Sequence, residues 1–480
     1  MGELKSAYEL ANERIIAPRY TKKPEEDESF DDVGVEKIDM DFIEIPEFSN
    51  KEGKLIEGNE TKIIRKGDRA NRINEEREEK VDEVKVQQAQ TIHFEDGKMM
   101  EVYWNGHFLD YGGFARMNRT MVFGLSNRNV KVKAEIEPYL THVNKSTQDE
   151  LKALSNNDIS KKAPKVFGVT VPTNLSHGGK KIVYTMIETS EKVHKDYSGK
   201  LNLCDEIWTP TQYGKEILEK SNVYPPIHVM PLGIDVKRYT PEAGHMDFGK
   251  AMKKFKFLSV FRWSYRKGFD ILLRAYMREF SNDDDVSLLL VSRAVDRPEE
   301  NGTAKILEDF NNIKSSIGRP EEELPHIALY IKPIQEMNMP KVYSSANAFA
   351  LISRGEGFGL PYCEAAACGL PVIGSNCSGQ SDFLNNENSY LVEPDGYIEA
   401  NVSGAMNQMA KLCHFYEGQL FPNFGQGAIE QTQTHLRDVY DNYQEAQEKA
   451  DKLKRLIVNN YTWDMAVDRV YKRLREITNE

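Results

Sequence analysis

No run of about 18 apolar residues occurs in the chain, so nothing in it is written as a membrane-spanning helix. Cysteine is scarce, five in 480 residues. Cys204, Cys363, Cys368, Cys377 and Cys413 show neither disulfide-framework nor metal-ligand spacing, which argues for free thiols in a reducing compartment. The opening MGELKSAYELANERI is charged where a secretory leader would be apolar, and the expected location is cytoplasmic. Positive charge is also short: 63 Lys and Arg face 75 Asp and Glu, a net of −12. A broad basic face for nucleic acid is therefore not expected.

The composition is that of a globular protein, 40% hydrophobic and 29% charged, and 480 residues are too many for one core. The acidity is uneven. Residues 1–97 hold sixteen Lys and Arg against twenty-six Asp and Glu, so −10 of the net charge lies there and −2 elsewhere. KKPEEDESFDD reads as a solvated loop and the mixed-charge stretch from Arg69 to Val86 as helix-like. Residues 1–97 are read as an acidic extension of unassigned role.

From Lys98 the texture becomes alternating strands and helices. MMEVYWNG, VFGVTV, KIVYTMI and DEIWTP read as strands, and FARMNRTMVFGL places Phe114, Met117, Met121, Val122 and Leu125 at helical spacing. PPIHVMPLGID reads as a hinge. A second alternating run follows in KFKFLSVF, GFDILLRAYMREF, VSLLLVS, HIALYIKP, AFALIS and LPVIGS. Strand–helix–strand order implies parallel sheets covered on both faces. The fold class is thus α/β, with two doubly wound Rossmann-like domains, 98–240 and 241–428, facing across a cleft. Residues 429–480 are expected to be closing helices that pack back toward the first of them.

The chemistry concentrates in RGEGFGLPYCEAAACGLP, Arg354 to Pro371. A strand ends in a loop punctuated by Gly355, Gly357 and Gly359. Pro361 suits a helix start, and Gly369 suits its stop. Backbone N–H groups at Gly357, Phe358, Gly359 and Leu360 would favour an anion such as a diphosphate. Glu356 and Glu364 supply acceptor-only groups for hydroxyls of a ribose or sugar. In FRWSYRKGFDILLRAY, Arg262 ends a strand and Lys267 opens a helix, two cations suited to a departing diphosphate. Arg266 is their less certain neighbour.

The segment resembles the E-x7-E signature of retaining GT-B glycosyltransferases, family 4, with Glu356 and Glu364 on its two acidic positions. The resemblance implies a GT-B fold, with 98–240 on the acceptor side and 241–428 binding the donor. It also implies transfer of a sugar, with its configuration kept, from a UDP- or GDP-linked donor to an acceptor hydroxyl. Glu356 would orient the sugar, Glu364 would hold the ribose, and Arg262 and Lys267 would neutralise the diphosphate, so that no metal or other cofactor is called for. WNGHFLDYGGFARMNR resembles the Gly-rich loop of the family's first domain, with Gly112 and Gly113 as donor-side candidates. Glu188 and Thr189 fall on the acceptor side, and His107 and His177 are candidates for the family's cleft histidine. Ser292–Arg293 departs from the usual Gly-rich turn.

The acceptor is open at this stage: a saccharide, a lipid-linked glycan or a polymer. A phosphorylated acceptor would need cations in the first half, for which Arg116 and Arg119 are candidates. A polymer acceptor, protein or nucleic acid, could use residues 1–97, where KIIRKGDRANR is the basic stretch. A non-catalytic sugar-nucleotide-binding protein is the other alternative. Two D-x-D patterns, Asp39-Met40-Asp41 and Asp283-Asp284-Asp285, read as solvated turns rather than metal sites.

Overall fold

Segments such as KVFG, EIWT and AFAL are buried at every position, a pattern met in parallel strands with helices on both faces. The computed structural model describes residues 43–44, 99–137, 142–172, 174–293, 302–332, 334–400 and 414–479. All fall within one unit, Asp41–Glu480. Asp39-Met40-Asp41, KIIRKGDRANR, Cys413 and the rest of 1–97 lie outside the described residues, apart from a two-residue strand β1 (Ile43–Glu44).

The first sheet contains β2 (Glu101–Gly106), β3 (Lys131–Ile136), β4 (Lys165–Gly168), β5 (Lys181–Tyr184), β6 (Glu206–Thr209) and β7 (Ile227–Val229). Their order is β3-β2-β4-β5-β6-β7, and every pair is parallel. The helices between them are α1 (Gly113–Ser126), α2 (Lys145–Ser155), α3 (Lys195–Leu201) and α4 (Gln212–Lys220).

The second sheet is built from β8 (Phe255–Arg262), β9 (Val286–Arg293), β10 (His326–Tyr330), β11 (Ala348–Leu351), β12 (Val372–Ser375) and β13 (Tyr390–Val392). The order is β10-β9-β8-β11-β12-β13, all parallel, with β1 added antiparallel to β10. Its helices are α5 (Phe269–Glu279), α6 (Gly302–Ser315), α7 (Met339–Tyr343) and α8 (Leu360–Ala367). In α5, buried Phe269, Leu272, Leu273, Tyr276 and Met277 recur at i, i+3, i+4, i+7 and i+8, one stripe laid on the sheet.

These strand orders fix where ligands can sit. In each sheet the chain builds outward in one direction and then reverses, and a crevice opens beyond the carboxyl ends where it does so. The reversals fall between β2 and β4 and between β8 and β11. The two doubly wound halves expected from the sequence are present, in the arrangement of the GT-B fold.

An antiparallel ribbon, β14 (Gly396–Glu399) and β15 (Leu420–Asn423), was not anticipated. It reaches the first half, where Ser190 N donates to Leu420 O at 2.8 Å. Three helices close the chain: α9 (Gln426–Asp441), α10 (Tyr443–Asn460) and α11 (Trp463–Asn479). α11 lies on the first half. Gly124 leaves room for Val467, whose Cγ2 would stand 2.6 Å from a Cβ there. Arg473 pairs with the buried Glu206 through two bonds of 2.9 and 2.8 Å.

At the reversal of the first sheet, Asn118 is fully buried and uses its whole amide. Its Oδ1 accepts from Trp104 Nε1 at 2.9 Å, and its Nδ2 donates to Gly168 O at 2.8 Å and His107 O at 2.9 Å. A Cβ on Gly168 would come within 1.8 Å of that oxygen, so the side chain fits only over bare backbone. Replacing Asn118 by Ala leaves three buried polar groups short of a partner. The expected cost is about 2 kcal/mol or more, read as a lowered denaturation midpoint against the parent chain.

Candidate active site

The loops leaving β8 and β11 on either side of the reversal are stitched together before any charge is placed. Gly268, with φ +63°, turns the first loop into α5, and a Cβ there would lie 1.8 Å from Ile352 O, so both its conformation and its contact demand glycine. Arg354 is 1% exposed and forms a two-bond pair with Asp270, 2.8 and 2.9 Å. The same guanidinium donates to Tyr265 O at 2.7 Å and lies 3.8 Å over the Tyr265 ring. The Arg354 backbone N–H donates to Arg266 O at 2.7 Å.

That frame holds a buried ion pair. Lys267 Nζ lies 2.5 Å from Glu356 Oε1, with the residues 9% and 5% exposed. Arg266 Nη1 stands 3.8 Å from the same oxygen and 3.1 Å from Glu188 Oε1, and it donates to Gly355 O. Glu356 is fixed further by its own backbone: its N–H donates to Ser378 Oγ at 3.0 Å and its carbonyl accepts from Gly379 N at 2.9 Å. Burial pushes the Glu356 carboxyl up, but the Lys267 and Arg266 cations outweigh this and hold it below the usual range. Burial in turn draws Lys267 below the ordinary lysine range, with Glu356 opposing.

Glu364, also 5% exposed, lies one turn inside α8. Its Oε2 accepts from Tyr343 OH at 2.6 Å, and its Oε1 from Arg116 of α1, across the cleft. Arg116 Nε is 3.5 Å from Glu336, and Arg119 Nη2 is 3.3 Å from the other Glu336 oxygen. Both α1 arginines are thus turned to carboxylates of the second half.

The halves touch closely where the glycines fall. A Cβ on Gly355 would lie 2.2 Å from Glu188 O, and one on Gly357 would lie 2.5 Å from Met186 Cβ. Gly359 (φ +98°) precedes α8, whose start no side chain caps. Leu360 opens that helix, half-buried. Arg262 ends β8 directly opposite Arg293 of β9, and Arg293 lies 5.7 Å under the Tyr111 ring of the first half.

Of the sequence candidates, Glu356, Lys267, Gly357, Gly359, Leu360 and Glu188 are gathered here, with Glu364 on the next helix. Arg262 marks the end of β8 from which this loop leaves. The Phe358 ring packs with Phe383 and Tyr461 at 5.6 and 5.8 Å, which leaves its backbone, the part named from the sequence, for a ligand. Gly112 gives its N–H to Asp110 Oδ1 at 2.5 Å, whereas a Cβ on Gly113 would meet nothing within 4 Å. His107 follows β2 and lies 3.6 Å from Glu137, which follows β3. His177 is not a cleft residue. Its Nε2 bonds Ala163 O at 2.7 Å, just before β4 begins, at the edge opposite the carboxyl ends.

Thr189 is buried, with its hydroxyl on Lys192 O and its carbonyl accepting from Tyr213 OH. Asp283–Asp285 precede β9 at the amino edge, where Asp284 binds Arg437 at 3.2 Å. The supporting groups Asp270, Arg354, Ser378 and Tyr343 were not foreseen. An arginine closing an apolar strand was the one available signal.

Because its native pKa is lowered, Glu356 contributes stability that is present above about 4.5 and lost as pH falls through the lowered native value. Glu356→Gln should destabilise the fold by about 3 kcal/mol at neutral pH, by leaving Lys267 unpaired. The gap between variant and parent, followed by denaturant titration, should close only on that acid limb.

Comparison with known proteins agrees with this fold. Residues 253–411 match the family model described as glycosyl transferases group 1. The GDP-mannose-dependent monoacylated alpha-(1-6)-phosphatidylinositol monomannoside mannosyltransferase of Corynebacterium glutamicum is 26% identical over 184 residues, 35% of this chain and 44% of that relative. The D-inositol 3-phosphate glycosyltransferase of Actinosynnema mirum is 28% identical over 154 residues, 32% and 36% of the two chains. The chain thus spans less than half the length of these curated relatives. Among solved structures, Anabaena HepE in complex with UDP and glucose aligns with a TM-score of 0.53 at 12% identity, over 78% of this chain and all of that one. The sucrose-phosphate synthase of Thermosynechococcus elongatus aligns at 0.56 and 16% identity, over 79% and 99%. At such identities the likeness speaks for the fold.

Proposed function

We propose that the chain is a glycosyltransferase that moves a sugar from a nucleotide-diphosphate sugar to an acceptor hydroxyl with retention of configuration. The observation that carries this reading is the buried Lys267–Glu356 pair beside Arg266, at the carboxyl ends of β8 and β11 and next to the uncapped start of α8. A cation kept charged in a water-poor crevice is placed to meet a phosphate leaving group. The match of 253–411 to group 1 glycosyl transferases covers every one of these residues.

In this mechanism Arg262, Lys267 and the backbone from Gly357 to Leu360 hold the diphosphate, which is UDP- or GDP-linked. Glu364 accepts from the ribose hydroxyls; two of its roughly four acceptor positions are filled by Arg116 and Tyr343. Glu356 orients the sugar. The acceptor oxygen bonds to the anomeric carbon as the bond from that carbon to the phosphate oxygen breaks, on one face. The acceptor proton passes to the departing phosphate oxygen. Developing negative charge is met by fixed cations that need not reorganise, so transfer is proposed to continue in the presence of EDTA.

The test is a thermal-shift panel with UDP-, GDP-, ADP- and dTDP-sugars. The right nucleotide at about a hundred times its dissociation constant should add roughly 2.7 kcal/mol of stability. Glu356→Ala should still bind that nucleotide and lose transfer, and Lys267→Ala should weaken both. Product NMR should show the donor's anomeric configuration. Absence of any nucleotide effect, or full activity in Glu356→Ala, refutes the assignment.

A further inference from the structure

Beside the Arg266–Glu188 contact lies a cavity of about 80 Å³ whose walls come from both halves. The first half contributes Phe114, Thr170, Glu188 and Thr189, and the ribbon side of the second half contributes Phe415 and Tyr416. The family match ends at residue 411, so this aromatic pair lies beyond it. Tyr416 OH donates to Glu188 Oε2, while Arg266 stands 3.1 Å from Glu188 Oε1. Phe415 is held against Tyr197, ring centroids 5.3 Å apart, and Tyr416 against Phe421 at 5.1 Å. The ribbon is tied down at Ser190.

The geometry points to this cavity as the acceptor site, and to a neutral polyhydroxylated ring, a sugar or cyclitol without phosphate, as what it takes. This rests on the glycosyltransferase reading above and adds the acceptor's chemistry to it. Three observations carry it. First, Arg266 Nη1 bridges Glu188 and Glu356, so a hydroxyl bound at Glu188 is within a few ångströms of the group that orients the donor sugar. Second, the walls pair aromatic faces with a carboxylate and hydroxyls, groups that stack on a ring's C–H surface and accept its O–H bonds. Third, the one charged residue among the described residues that line the cavity is the carboxylate Glu188. Arg116 and Arg119, the cations a phosphorylated acceptor would call on, are spent on Glu364 and Glu336.

The experiment uses the full chain and the sugar nucleotide that stabilises it. Initial rates are measured with myo-inositol, methyl α-D-glucopyranoside and methyl α-D-mannopyranoside, and with inositol 3-phosphate and glucose 6-phosphate. At least one neutral ring should be glycosylated with a KM about tenfold or more below that of either phosphorylated ring. Tyr416→Phe, which removes the hydroxyl that holds Glu188 in position but keeps the ring, and Phe415→Leu should each raise the neutral acceptor's KM about tenfold, with the dissociation constant of the nucleotide unchanged. Preference for a phosphorylated ring, no neutral acceptor despite nucleotide binding, or unchanged KM in both variants overturns the inference and leaves the glycosyltransferase reading standing. Failure of every sugar nucleotide to bind overturns both.

Discussion

The Lys267–Glu356 pair is the constraint on which the rest of the site depends. Two ions withdrawn from water lose several kcal/mol of hydration each, and only a contact as tight as 2.5 Å with supporting bonds offsets that. The support is backbone geometry: the sheet reverses between β8 and β11, so two loops leave in parallel and can be sewn together. Gly268 permits the approach and the Arg354–Asp270 pair locks it. Arg354 and Asp270 are turned to each other, and the pair sets where Lys267 and Glu356 stand. The chemistry is thus inherited from strand order through a few close contacts.

The same economy of distance governs the contact between the halves. Gly355 and Gly357 are needed because Glu188 and Met186 of the first half lie where a side chain would go. Arg116 reaches from α1 to Glu364, and α11 crosses over to pair Arg473 with Glu206. These contacts have different meanings. Arg473 and Glu206 lie far in sequence from the site loops and hold the architecture. Arg116 and Glu364 meet at a group proposed for the nucleotide, and in that reading the contact between the halves and donor recognition would share one carboxylate.

Much of this was legible in the sequence. Apolar runs and the stripe of α5 announce two parallel sheets, and a glycine-broken loop announces the turn from β11 into α8. Glu356 and Glu364 can be read together because they lie in one short segment, and Lys267 because it follows a strand and opens a helix; that Lys267 meets Glu356, 89 residues on, could not be read there. What sequence could not show depends on partners far away. Phe358 looks like a loop residue until Phe383 and Tyr461 are placed around it. His177 looks like a cleft histidine until the strand direction puts it at the amino edge. The ribbon β14–β15 escaped because a four-residue strand carries too little periodicity to be told from a loop.

The arrangement of charge divides the cleft into two unlike regions. Lys267, Arg266, Glu356 and Glu188 form a group of two cations and two carboxylates, and their sum is zero. Such a group shapes the local field without adding net attraction. Arg262 and Arg293 add positive charge at neighbouring strand ends, in register. Positive side chains thus stand together at the carboxyl ends of β8 and β9, where the diphosphate of the proposed donor would find them. On the far side of Arg266 the wall turns to aromatic rings and a carboxylate, where a second phosphate would meet Glu188 instead of a cation. Arg266 marks the border between these regions. Its contacts to both carboxylates bring the two regions within a few ångströms, a separation that the proposed transfer between two bound molecules would require.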